Sequence, residues 1–557
     1  MKDRTQLFIP LAFGLGLLAV ALLLLPGTLG QGNGFWQSRP AGGPGNDERL
    51  AGRQGNDGGS LDSAHGPGGT PADPSAALMA DLLRDLANPE ARQGEAILTF
   101  TSAEALQRFL ARAGKSGLTV LGSIDDMLTA RVKFADLAAL RDDMRANPGD
   151  YQDAGGNYYV HIPGVPAPED RPAQAEVGFG DGALAFMGVR GDHSQWGKGV
   201  TIAVLDSGVE AHTTFGNRLR VLDIGQGTKG SADVDGHGTA VAALAAGSGA
   251  GSTGTAPAAN VLSIRVTGAD GFSDIFTLSQ GIRAAADAGA QVINISLGAY
   301  EESPLLSQAI GYAYEKGAVI TAAGGNDTAS SLTWPAADPR VVSVGSVDAL
   351  GQQTSFSNSG QSLWVTAPGL AVQTAWPGEQ IVSFDGTSGS SPLVAGSIAA
   401  LMSQYPGMSS QQAAGVLSQY SADAGAAGRD PSFGYGTTDL GWAMNYGNPQ
   451  YTDTSIASHY FRADEGLMDF VVQNRSNQPV NGLTLSINAA GAQQDVAVPW
   501  LGAGDRWTYT VPVDSAALSE AGQLQYSSRL RNLNGFVDQN PSNNQNASSV
   551  IQTVPGP

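Results

Sequence analysis

Val200-Thr201-Ile202-Ala203-Val204-Leu205-Asp206-Ser207-Gly208 reads as a strand followed by the turn that ends it. The run is apolar toward both faces. That suits a strand covered by helices on either side rather than one half-exposed to water. Four more runs repeat the pattern, at residues 261–266, 292–296, 319–323 and 341–347. Segments 275–288, 304–316 and 391–403 carry helical periodicity between and after them. This alternation predicts an α/β domain built on a doubly wound parallel sheet. In such a domain functional groups collect at the C-terminal ends of the strands.

Outward from this unit, 180–447, the pattern changes on both sides. Residues 75–163 read as a small α+β domain. Ala96-Ile97-Leu98-Thr99-Phe100 is strand-like, Thr101 with Glu104 makes a capping box, and Leu106, Phe109, Leu110 and Ala113 recur at helical spacing. Residues 118–121 and 128–132 follow as strands, Leu137, Leu140 and Met144 mark a second helix, and 158–162 forms the last strand. The β-α-β-β-α-β order is ferredoxin-like. Residues 164–179 are polar and proline-rich and make an exposed linker. Beyond 452, Leu483, Leu485 and Ile487 alternate with polar residues, as do Trp507, Tyr509 and Val511. This predicts an all-β sandwich over 452–557.

At the start, Lys2 and Arg4 precede an apolar stretch, 7–25, closed by Pro26 and Gly27. Residues 1–30 therefore read as a secretory signal or, if uncleaved, a membrane anchor. Residues 31–74, rich in Gly, Pro, Asn and Asp, make a flexible linker. The chain is thus expected outside the cytoplasm: secreted, periplasmic or at the cell surface.

Composition narrows the chemistry. A net charge of −21 argues against a nucleic-acid partner, which needs a basic face. With no cysteine among 557 residues, thiol nucleophiles, thiolate metal sites and disulfides are excluded. The six histidines share no helical spacing, so an HExxH zinc centre is absent.

Three short segments lie at strand–helix junctions on one expected edge of the sheet. Asp206-Ser207-Gly208 follows the first strand, His237-Gly238-Thr239 opens a helix, and Ser388 precedes an apolar helix with Val394, Ile398 and Met402. Taken singly, each is also an ordinary turn or cap. Their order, Asp then His then Ser, is the order of subtilisin. With Val292-Ile293-Asn294-Ile295-Ser296-Leu297-Gly298, Ala322-Ala323-Gly324-Gly325-Asn326 and Gly386-Thr387-Ser388-Gly389-Ser390-Ser391-Pro392 added, the chain resembles the subtilases over about 180–445.

The resemblance implies a serine endopeptidase acting on polypeptides through an acyl-enzyme. Asp206, His237 and Ser388 would be the triad, and Asn326 an oxyanion donor. Ser296, Leu297 and Gly298 would bind substrate backbone. Gly324 and Gly325 would wall the pocket for the residue before the cut, with Thr333 at its floor. Gly389-Ser390 stands where Met-Ala is usual, Ala240 replaces a His, Gly324 an Ala and Leu393 a His, none of them a catalytic group. No cofactor is needed for catalysis and no metal ligand stands out. Structural calcium has no clear site, because the 247–253 loop lacks an Asn-rich cage. Residues 75–163 resemble a propeptide that assists folding and blocks the cleft, which makes the chain a zymogen. The C-terminal unit resembles adhesion-type modules, with a surface or protein ligand as its expected partner. Two other functions fit less of the sequence: an inactive or weakly active surface adhesin on the same core, and an esterase using the same triad.

Overall fold

The computed structural model describes residues 74–167, 171, 176–225, 235–268, 271–532 and 534–551, and the backbone of Leu18–Ala21. The rest of the N-terminal apolar stretch and its linker lie outside the described residues. Leu18–Ala21 runs as a short strand parallel to Gln545–Ile551. Among the described residues no helix is long and apolar enough to cross a membrane.

A seven-stranded sheet forms the centre. Its order is Val365–Pro368, Val342–Val347, Val319–Ala323, Val292–Ile295, Thr201–Asp206, Asn260–Arg265, Leu219–Leu222, with every pair parallel. The five expected strands form its middle. The two edge strands escape the sequence pattern because one, Leu219–Leu222, is poorly buried, and the other, Val365–Pro368, is interrupted by a threonine and ends in proline. Helices cover both faces and build two cores. Ile202, Val204 and Val344 share one core with residues of His237–Ala246 and Thr387–Gln404. Ala203, Leu205 and Ile293 share the other with residues of Ile275–Asp287 and Pro304–Glu315. The last of the expected helices begins earlier than its periodicity suggests, at Thr387 rather than 391. Pro392 lies inside it and offers no N–H to the Ser388 carbonyl one turn back. That carbonyl accepts from Ser296 Oγ instead, at 3.1 Å.

The N-terminal unit is a four-stranded antiparallel sheet, in the order Leu118–Ile124, Thr129–Phe134, Glu95–Phe100, Tyr151–Gly155, packed against helices. Three local expectations are corrected here. Helix Ala103–Arg112 is capped by Ser102, whose side chain accepts from Ala105 N, so the cap lies one residue after Thr101. The fourth strand is Tyr151–Gly155. Residues 158–162 stand outside this sheet, because Tyr159, Val160 and His161 pair with strands of the α/β unit. The end of the expected linker is also packed rather than exposed. Phe179 is buried, and its N–H donates to the Leu370 carbonyl at 2.9 Å. An additional helix, Pro74–Leu86, precedes the unit.

After the α/β unit come two further sheets. One joins Thr454–Arg462, Leu467–Asn474 and Arg506–Pro512; the other joins Gln545–Ile551, Gln523–Asn532, Leu483–Ala489 and Ala492–Ala497. Phe470, Leu485, Ile487 and Tyr526 share the core between them.

Candidate active site

Because the central strands are parallel, their C-terminal ends deliver side chains to a single edge. Asp206 closes the strand Thr201–Asp206 and is fully buried. The chain turns at Gly208, and His237 opens the helix His237–Ala246 close by. The approach is so tight that a Cβ on Gly238 would lie 1.9 Å from the Gly208 carbonyl oxygen. Only glycine fits there. The result is a hydrogen bond of 2.7 Å between His237 Nδ1 and Asp206 Oδ1, an oxygen that also accepts from Ser207 N at 2.8 Å. The His237 ring rests on Phe384, with centroids 5.3 Å apart.

Ser388 is the second residue of the 18-residue helix Thr387–Gln404. The positive end of that helix therefore surrounds its hydroxyl and its backbone N–H. Ser296, just past the strand Val292–Ile295, touches it twice. Ser296 Oγ donates to the Ser388 carbonyl, as described above, and Ser388 Oγ donates to the Ser296 carbonyl at 3.4 Å. Beneath the helix, Asn294 Nδ2 donates to Ser296 Oγ at 3.1 Å. Its Oδ1 accepts from Ser391 Oγ at 2.7 Å and Thr321 Oγ1 at 3.1 Å.

Asn326 lies beyond the strand Val319–Ala323 and is fully buried. Its Oδ1 accepts from Thr387 N at 3.0 Å and Thr387 Oγ1 at 2.9 Å. A backbone N–H can only donate, so this side of the amide must be the oxygen, and Nδ2 faces the cleft. There it donates to the Pro163 carbonyl at 3.1 Å.

Pro163 belongs to the segment that left the N-terminal sheet. Tyr159–Val160 pairs antiparallel with Ser273–Asp274, and His161 pairs antiparallel with Gly298 on its other side. The tail of the N-terminal unit thus occupies the cleft as a middle strand. Of the three residues expected to bind backbone, Gly298 is the one that exchanges bonds with this tail. Leu297 is buried in the core, and Ser296 faces Ser388. Gly324 and Gly325 stand beside the cleft with Thr333 behind them. Thr333 N donates to Gly324 O at 3.1 Å, and a Cβ on Gly298 would meet Thr333 Oγ1 at 2.4 Å.

The N-terminal unit is clamped to the same edge. Arg92 and Arg131 both reach Asp274 at 3.0 Å, Arg283 reaches Asp126 at 2.6 Å, and Asn88 Nδ2 donates to Glu301 at 3.0 Å.

Asn358 carries no mark in the sequence. Its Oδ1 accepts from Asp327 N and Ala329 N, both at 2.9 Å, and its Nδ2 donates to Tyr300 Oη at 3.0 Å. It therefore braces the loop that carries Asn326. Burial, together with Asp327, pushes the Tyr300 phenol up to about 12. No local signal marks Asn358, because it acts on residues about thirty positions upstream. Among the described residues no group of three or more His, Asp or Glu side chains is placed to hold a metal ion. The 247–254 loop closes on protein groups. Thr214 Oγ1 accepts from Ser248 N and Gly249 N, each at 2.9 Å. Arg218 donates to the carbonyls of Ala246, Ala259 and Thr214 at 2.9, 2.7 and 2.8 Å.

Residues 197–436 match the model of the subtilase family. Subtilisin BL of Lederbergia lenta is 36% identical over 218 residues, 39% of this chain and 81% of its own length. Subtilisin DY of Bacillus licheniformis is 35% identical over 246 residues, 43% of this chain and 88% of its own. Among solved structures, fervidolysin of Fervidobacterium pennivorans, a keratinolytic enzyme related to subtilisin, superposes with a TM-score of 0.56 at 20% identity, covering 79% of this chain and 71% of its own. At that identity the likeness concerns the fold. The fold and the similarity together define a subtilisin-like serine endopeptidase. The chain belongs to the subtilase family.

Proposed function

We propose that Asp206, His237 and Ser388 are the catalytic triad of this endopeptidase, with Asn326 as the oxyanion donor. The observation that carries this is the placement of a peptide carbonyl, that of Pro163, on Asn326 Nδ2 beside the start of the Ser388 helix. A serine hydroxyl needs a base to be nucleophilic at neutral pH. His237 accepts its proton as Oγ adds to the substrate carbonyl carbon, then gives that proton to the leaving amine. Asp206, held by Ser207 N, keeps the Nδ1–H tautomer and stabilises the imidazolium. Asn326 Nδ2 and the Ser388 N–H bind the oxyanion, and the helix N-terminus adds its dipole. Water then hydrolyses the acyl-enzyme by the same route in reverse.

The enzyme is made as an exported zymogen. Support for inhibition by residues 75–163 comes from the tail that fills the cleft and the ion pairs at Asp274 that hold it there. Support for export comes from the basic and apolar N-terminus. The Ser388→Ala variant tests the assignment. It should keep the fold and lose hydrolysis of a chromogenic peptide, with an acyl ester as the control for esterase chemistry. Wild-type turnover in that variant would remove Ser388 from the mechanism.

A further inference from the structure

Pro163 carries its carbonyl to the oxyanion donor but lacks a group that the neighbouring strand is positioned to receive. His161 and Gly298 exchange two backbone bonds, His161 N to Gly298 O at 2.9 Å and Gly298 N to His161 O at 2.8 Å. In an antiparallel ladder such doubly bonded pairs recur at every second residue. The next pair in this register sets Pro163 against Ser296. The tail residue there should offer its N–H to the Ser296 carbonyl, and proline has none. Ser388 Oγ approaches that carbonyl instead, at 3.4 Å. The chain also runs on past the serine. A Cβ built on Gly386, just before the nucleophile helix, would meet Val165 Cγ2 at 3.1 Å.

We propose that Pro163–Gly164 is the bond this protease cuts in its own chain, and that the proline slows the cut. The inference rests on the self-inhibited zymogen reading above. In the reaction, Ser388 Oγ adds to the Pro163 carbonyl carbon and its proton passes to His237. The C–N bond to Gly164 then breaks as that proton moves to the Gly164 nitrogen. Water finally releases Pro163 as a carboxylate. Until then the tail holds the cleft through the backbone of Tyr159, Val160 and His161. The same geometry describes substrates in trans. They are extended peptides with an aliphatic residue where Val160 is buried, and a short residue at the cut, because Thr333 backs the pocket behind Gly298 and Gly325. A short residue that has an N–H, such as alanine, turns over faster than proline.

The test expresses the full chain in three forms, native, Pro163→Ala and Ser388→Ala, and follows release of the N-terminal unit by mass against time. The native chain should give a product starting at Gly164. Pro163→Ala should give the same N-terminus about three- to tenfold faster, the worth of one restored backbone hydrogen bond. Ser388→Ala should stay joined. A native product starting at another residue overturns the bond assignment, and equal or slower release from Pro163→Ala overturns the brake. Release from Ser388→Ala at the native rate is a different result: it overturns self-processing itself. A second measurement does not depend on folding of the variants. The released native enzyme is given the fluorogenic peptides Val-His-Ile-Pro-Gly and Val-His-Ile-Ala-Gly. Both should be cut before Gly, the alanine peptide with the higher kcat/KM; the opposite order sinks the proposal.

Discussion

Asn326 shows how a single side chain depends on its second contact. The Thr387 N–H and hydroxyl occupy Oδ1, so the amide cannot flip and Nδ2 is held toward the cleft before any substrate arrives. Such preorganised donors act mainly on charge that develops in the transition state. Asn326→Ala should therefore lower kcat by about 100-fold or more and leave KM nearly unchanged, the magnitude typical of a lost oxyanion donor. Steady-state kinetics on one peptide substrate decide it, and an unchanged kcat would remove Asn326 from the oxyanion site. His459 shows the opposite use of an imidazole. It is buried in the C-terminal unit between Ser548 Oγ at 2.8 Å and Ser528 Oγ at 2.6 Å, and burial pulls its pKa down to about 3. The folded state therefore holds it neutral, while the unfolded chain titrates near 6.5. Its contribution is complete above that pH and shrinks as pH falls, because the unfolded state binds the proton first. The stability gap between native and His459→Asn should narrow by about 1.4 kcal/mol per pH unit below about 6.5. Asp423 and Asp453, raised to about 6 by burial, work in the other direction but are present in both chains and cancel in the comparison. Urea unfolding of both chains between about pH 7.5 and 5 reads the gap. A constant gap would mean that His459 does not stay neutral.

Among the secondary-structure elements, two helices in very close contact set the catalytic geometry. His237–Ala246 carries His237, the proposed base, and Thr387–Gln404 carries Ser388, the proposed nucleophile. They meet at Gly396, where a Cβ would lie 2.0 Å from Thr255 Oγ1 and 2.5 Å from the Ala245 carbonyl oxygen. Neither obstacle is the end of a flexible side chain, so one added methyl must push the helices apart. Overpacking in a dense core costs about 1–3 kcal/mol, and backbone contacts this short reach the upper end. Gly396→Ala should lower the unfolding free energy by about 3 kcal/mol and reduce kcat as well, because His237 and Ser388 would separate. Denaturant unfolding together with kinetics checks both effects. A stable variant with poor kcat would still support the helix-spacing argument, whereas native values for both would refute it.

Over the full chain, buried charge ties the C-terminal sheets to the protease. Arg475 pairs with Asp439 of the α/β unit and with Asp453, the latter at 3.3 Å, and its guanidinium lies 4.7 Å from the Trp442 ring centroid. Arg506 reaches the fully buried Asp423 carboxylate at 3.0 Å. Asn477 Nδ2 donates to the carbonyls of Asn445 and Asn448 at 2.7 and 2.9 Å. Removing one partner of a buried pair costs about 3–5 kcal/mol, because the other charge stays behind. Deleting 452–557 would leave both Asp439 and Asp423 without these arginines. The shortened chain should give less soluble protein and a lower Tm than the full chain, and Arg475→Met should reproduce part of the loss. If the shortened chain keeps the native Tm, the C-terminal unit is an independent passenger.

The α/β class was legible in the amino-acid order, and the resemblance to the subtilases singled out the segments that carry the proposed triad residues and Asn326. These are local properties. Buried parallel strands need apolar runs, and the proposed catalytic groups sit in short segments at the strand ends, where neighbours in the chain carry the signal. Part of the α+β unit was legible too, since its first three strands and its helices Ala103–Arg112 and Leu137–Ala146 have their own period, whereas the strand Tyr151–Gly155 and the helix Pro74–Leu86 gave no such signal. Whatever depends on partners distant in the chain was not legible. Residues 158–162 have the pattern of a strand, and the pattern does not say which sheet they join. Hydrogen bonds to Ser273, Asp274 and Gly298 made that choice, more than a hundred residues away. Asn358 and the Arg475–Asp439 pair were illegible for the same reason. A polar side chain shows in sequence only that it can bond, and the fold alone brings it a partner.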